Sequence, residues 1–147
     1  MTPFRFQTTR SILSEAGATY KIGEILAASG CLRIALITDQ TILDLGIAEA
    51  AIKGCRDAGL EVVVISDVQP DPPEAMILSA VEKLRDERID GVASVGGGSS
   101  MDTAKLIAVL LNSNQELEDI YGVNQVIGDR LPLVLAPTTA GTGSEVT

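Results

Sequence analysis

Histidine is absent from all 147 residues, tryptophan is absent too, and aromatic side chains make up only 3%. Without an imidazole there is no Ser–His or Cys–His couple, and a common nitrogen ligand for zinc or iron is missing. The shortage of aromatics leaves the core to Ile, Leu, Val and Ala, within an apolar share of 46%. Only two cysteines occur, Cys31 and Cys55, and no apolar leader follows Met1. They read as free, buried cytosolic thiols, with a disulfide or redox role as the alternative. Long apolar runs are missing as well: residues 34–37, 62–65 and 107–111 are far too short to span a bilayer. Positive charge is scarce, with 11 Lys and Arg against 20 Asp and Glu, a net charge of −9. That balance argues against nucleic acid and anionic membranes as partners. The cytoplasm is the expected location.

What remains has a clear order. The length fits one domain with a real core. Short apolar runs at 33–38, 61–66, 91–95 and 133–136 alternate with helical patterns at 19–29, at 48–58, after Pro73 with Ile77, Ala80, Val81 and Leu84 at helical spacing, and at about 100–111. Such alternation predicts an α/β fold with a parallel sheet. Phe4, Phe6 and Thr8 alternate with polar neighbours, and an extended piece through Ile12 and Leu13 completes an expected N-terminal hairpin. Residues 112–130 read as a polar connection with a short turn of helix near Leu117.

Four places carry possible chemistry. Gly96-Gly-Gly-Ser99 stands between a strand and a helix, where unpaired N–H groups and the helix dipole attract phosphate. The alternative is a tight turn that binds nothing. Ser99 and Asp102 have capping-box spacing, so Asp102 either caps the helix, holds the loop's shape or meets a ligand hydroxyl. Asp39 ends the first strand of the sheet, where it either starts a turn or helix or accepts hydrogen bonds from a ribose. The stretch Val68-Gln-Pro-Asp-Pro-Pro73 is rigid and also lies between a strand and a helix. Thr138-Thr-Ala-Gly-Thr-Gly-Ser144 offers hydroxyls and backbone donors directly after a strand, as expected of a loop over a ligand that leads into more protein. No nucleophile–base pair and no metal site can be assembled from these residues.

Together Gly96-Gly-Gly-Ser-Ser-Met-Asp-Thr-Ala-Lys105, Pro137-Thr-Thr-Ala-Gly-Thr-Gly-Ser-Glu-Val146, the Thr38-Asp39 strand end and Pro70-Asp-Pro72 resemble the iron-containing alcohol dehydrogenases. The resemblance implies a three-layer, Rossmann-like, mostly parallel sheet with helices on both faces, after an N-terminal β-hairpin. Residues 1–147 would be the NAD(P)-binding domain, with the family's helical, metal-binding C-terminal domain absent. It also implies NAD rather than NADP, and Fe2+ or Zn2+ only in the full-length family member. The substrate would be a small alcohol or aldehyde. Apolar surface left without a partner domain, and an edge strand around Phe4 and Phe6 able to pair with a second copy, lead to the expectation of a homodimer or higher homo-oligomer. By position, Gly97, Gly98 and Ser99 would cradle the pyrophosphate and Asp39 would take the adenosine ribose. Asp71, where the family more often has Asn, would stand near the adenine end. Asp102 joins the cofactor-binding set, and Thr138, Thr139 and Thr142 would contact the phosphate, ribose and nicotinamide region. The chain alone is expected to be inactive. Two other classes compete: a lyase or metal-free reductase on the related dehydroquinate synthase-like scaffold, and a non-catalytic nucleotide-binding module.

Overall fold

A computed structural model describes residues 8–147. Its four strands are β1 (Arg33–Ile37), β2 (Glu61–Ile65), β3 (Gly91–Gly96) and β4 (Leu133–Pro137). They form one parallel sheet in the spatial order β2-β1-β3-β4. Five α-helices connect or flank them: α1 (Ile22–Ala28), α2 (Gln40–Asp44), α3 (Glu49–Asp57), α4 (Glu74–Arg85) and α5 (Gly98–Leu110). Single 3-10 turns occupy Ala18–Lys21 and Leu117–Ile120.

Strand side chains alternate between the two faces, and each face meets a helical layer. Ala35, Ile37 and Val92 pack with Ile77, Val81 and Leu84 of α4 and Ala104 and Ile107 of α5. Ile34, Leu36, Ala93 and Val95 pack instead with Ile22 and Leu26 of α1, Ile42 of α2 and Ala51 and Cys55 of α3. β1 and β3 are therefore covered on both sides, which explains their almost unbroken apolar sequences. The expected parallel α/β sheet with helices on both faces is what the structure shows.

The connections fix where a ligand can enter. From β1 the chain turns towards β2, then crosses back past β1 to β3 and continues outward to β4. The loops leaving β1 and β3 thus run in opposite directions. A crevice opens between their carboxyl ends, where ligands of such sheets bind.

Helices α1 and α3 stop by the same device. Gly30 and Gly59 take φ of 86° and 82°, a left-handed conformation that costs glycine little. Gly30 N–H donates to Ala27 and Cys31 N–H to Leu26; Gly59 N–H donates to Arg56 and Leu60 N–H to Cys55. Both pairs have the Schellman pattern, and Leu26, Cys31, Cys55 and Leu60 are all buried in the same apolar cluster. Both cysteines are free and buried, as expected.

Some boundaries differ from the sequence reading. Helix α5 begins at Gly98, two residues earlier than expected, with Gly97 at its N-cap. Helix α2 was not expected: five residues are too few to show a helical period, and Asp39 starts it by accepting from Ile42 N–H. Phe4 and Phe6 of the expected hairpin lie outside the described residues. Its second part is not a strand, and Ile12 and Leu13 are exposed there. The 3-10 turn at Leu117–Ile120 matches the expected turn near Leu117 and is closed by a Glu116–Asp119 capping box. No helix among the described residues is long and apolar enough to cross a membrane.

Candidate functional site

The crevice is built from the ends of β1, β3 and β4. Thr38, fully buried, donates its hydroxyl to the Val95 carbonyl at 2.6 Å and so ties the end of β1 to β3. Asp39 follows. Its Oδ1 caps α2, while Oδ2 lies 3.8 Å from where a Cβ on Gly96 would stand. The aspartate therefore faces the glycine turn while one of its oxygens serves the backbone.

None of the three glycines has a positive φ, and at Gly96 and Gly98 it is close approach that a side chain would disturb. A Cβ on Gly96 would come within 2.6 Å of Ser100 Oγ, a buried side chain. A Cβ on Gly98 would lie 3.1 Å from Thr142 Cγ2 and 3.3 Å from Ser144 Oγ. Gly97 faces Thr139 Oγ1 at 3.5 Å by the same measure. The loop after β4 thus lies directly on the turn after β3. Thr138 is the link between them, its N–H donating to the Gly96 carbonyl at 2.9 Å.

The start of α5 carries no side-chain cap. Its first bond inside the helix is Met101 N–H to the Gly97 carbonyl, so the N–H groups of Gly98, Ser99 and Ser100 have no acceptor within the helix. Three such donors at the positive end of a 13-residue helix suit a phosphate oxygen. Asp102 does not act as a capping-box partner of Ser99. The earlier helix start places it one turn inside, where it pairs with Lys105 at 3.1 Å and accepts from Ser144 Oγ at 3.1 Å.

Asp39, Gly97, Gly98, Ser99, Thr138, Thr139 and Thr142 are thus brought to one crevice. Asp71 stays apart, on the connection after β2 and two strand positions from β3. It is exposed with φ of 48°, a left-handed conformation that Asp and Asn tolerate best among residues with a Cβ. That conformation gives the Pro-flanked position its own reason for an Asp or Asn.

Thr38, Ser144 and Lys105 were not singled out as site residues from the sequence. Ser144 is 7% exposed and Lys105 reaches Thr147 Oγ1 at 2.7 Å. Thr38 meets Val95, 57 residues away, and the Ser144–Asp102 and Lys105–Thr147 bonds each join residues 42 apart, beyond any local pattern. Among the described residues no group of three or more Cys, Asp or Glu is placed to hold a metal ion.

The family model described as iron-containing alcohol dehydrogenase matches residues 9–147. The chain is 37% identical over 131 residues to an NAD-dependent methanol dehydrogenase of Bacillus methanolicus, covering 89% of the chain and 34% of that protein. It is 39% identical over 145 residues to a choline dehydrogenase of Bacillus subtilis, covering 97% of the chain and 36% of the relative. The crystal structure of a 1,3-propanediol oxidoreductase superposes with a TM-score of 0.93 at 28% identity, covering 99% of the chain and 38% of the other. The chain spans about a third of the length of the curated relatives it matches.

Proposed function

The chain belongs to the iron-containing alcohol dehydrogenase family, and on that premise we propose that it is the dinucleotide-binding part of a metal-dependent alcohol dehydrogenase. The reaction would pass hydride between a small alcohol or aldehyde and NAD. One observation carries this reading: an uncapped helix N-terminus at the sheet's switch point, with glycines before it and a threonine loop laid over it. The named relatives include an NAD-dependent enzyme and dehydrogenases of small alcohols, which supports both cofactor and substrate class.

The residues fit the cofactor. The N–H groups of Gly98 and Ser99 would bind the pyrophosphate, and Gly97 keeps the approach open, because a Cβ there would occupy the space beside Thr139. Thr138, Thr139 and Thr142 would orient the ribose and nicotinamide from above. Asp39 would accept from the adenosine ribose and repel a 2′-phosphate, which favours NAD over NADP. Asp71 would stand at the adenine end. When bound, NAD supplies the hydride acceptor; this chain's residues bind it, orient it and fix which face is open. The described residues do not form a site for Fe2+ or Zn2+.

The test is a calorimetric titration of the chain with NADH and NADPH, repeated on Asp39→Gly. Glycine is a tolerated N-cap, costing only a few tenths of a kcal/mol at α2, so folding is not the variable. Wild type should bind NADH at least tenfold more tightly than NADPH. Asp39→Gly should remove most of that preference, a change of about 1.4 kcal/mol for each factor of ten. An unchanged preference would show that Asp39 does not read the ribose.

A further inference from the structure

Gly98, Asp102 and Lys105 are spaced i, i+4 and i+7, so they form one stripe along α5. The chain after β4 meets that stripe in the same order. Thr142 packs at Gly98, Ser144 bonds Asp102, and Thr147 bonds Lys105. Residues 142–147 therefore run lengthwise down the helix instead of leaving the surface. Ser144 is the deepest point of this strap, at 7% exposure. Its hydroxyl has one side-chain partner, Asp102 Oδ2 at 3.1 Å. The other carboxylate oxygen takes Lys105 at 3.1 Å.

We propose that Asp102 is a positioning residue, clasping Ser144 so that Thr139 and Thr142 are held over the glycine turn before any ligand arrives. The inference rests on the cofactor reading above for what the held loop binds, but not for the clasp itself. The Lys105 ion pair is too exposed to do this alone, since such pairs contribute little in water. The bond to Ser144 is different, because losing it strands a buried hydroxyl. With the clasp intact, the loop's ordering is completed in advance, and NAD does not have to offset it on binding. With the clasp broken, apparent affinity falls by the fraction of chains whose loop is still in place.

Hydrogen exchange read by mass spectrometry on the full chain, without ligand, separates the parts. Ser144→Ala and Asp102→Ala should exchange residues 138–147 roughly tenfold faster, while residues 34–66 keep wild-type protection. Asp102→Asn keeps an acceptor oxygen for Ser144 and should restore the protection. NADH titration followed by fluorescence should then weaken by a similar factor in the two alanine variants and recover in Asp102→Asn. Unchanged exchange in 138–147, or a rise spread evenly over the whole chain, overturns the clasp. Faster exchange with unaltered NADH affinity overturns the positioning role. If wild type binds no NADH, the proposed function fails, and the exchange contrast by itself still decides the clasp.

Discussion

Cys55 shows how one side chain records its surroundings. It is fully buried at the end of α3, and burial pushes its thiol from 9.0 up to about 11. Cys31 is also pushed up, first by burial and then by the nearby charge of Asp90. A raised folded value means that the neutral thiol is favoured by folding. Its stabilisation is complete below pH 9 and is lost as the pH climbs from about 9 towards 11. Each thiol can steepen the alkaline loss of stability by at most about 1.4 kcal/mol per pH unit. Thermal melts from pH 7 to 11 should therefore show a drop above pH 9. Cys55→Ala should melt lower at pH 7, because it leaves a cavity, yet fall less steeply above pH 9. An identical alkaline slope in the variant would mean that Cys55 is not the titrating group. At this scale the sequence was readable for burial, since a lone cysteine pair in an apolar context is usually interior. It was unreadable for contacts such as Ser144 with Asp102, which depend on where the fold brings distant residues.

Elements pack here through backbone as well as side chains. Gly23 of α1 lies against Gly54 of α3, where an added Cβ would stand 2.2 Å from the Gly54 carbonyl oxygen. A Cβ on Gly54 would come within 1.8 Å of the Tyr20 carbonyl oxygen. Two effects oppose each other in Gly54→Ala. Alanine favours the helix interior by about 0.5–1 kcal/mol, but the clash is with backbone and cannot be relieved by a rotamer. Overpacking of this kind costs about 1–3 kcal/mol or more, so the clash wins. Gly54→Ala should lower the melting temperature by several degrees, while Ser79→Ala on the exposed face of α4 should leave it nearly unchanged. Equal melting temperatures for both would refute the close approach. Strands and long helices were legible because their periods repeat several times, as with Ile77, Ala80, Val81 and Leu84 on α4. Helix α2 and the true start of α5 were not. The first is shorter than two turns, and the glycines at 97 and 98 read locally as loop although tertiary packing makes them a helix start. The Ser99–Asp102 capping box failed for that reason, being set out from a start two residues too late.

Across the whole molecule, the crevice follows from topology more than from any motif. Only the order β2-β1-β3-β4 puts Asp39 beside Gly96, although 57 residues separate them along the chain, and lays the loop after β4 over both. Sequence alone could name the parts and the edge on which they lie, but the strand order decides which of them share a space. Asp71 shows the difference: it has the same kind of edge position as Asp39, and the order leaves it two strands away from β3.

That order also sets a schedule for synthesis. β1 is the second strand in space but the first to be made, and its inner neighbour β3 pairs Ile34 with Gly91. At about 5–20 residues per second on the ribosome, residues 38–96 take roughly 3–12 s to follow. For that interval one edge of a strand that ends up almost wholly buried has no partner, so the nascent chain is open to chaperones or to mispairing with another copy. Ribosome-bound chains released from the exit tunnel only as far as Ser66 should be rapidly cleaved by added protease. Chains exposed beyond Leu110 should acquire protection in a single step. Protection already present at Ser66 would mean that β1 and β2 fold with α1 and α3 as an early unit, and that β3 merely docks.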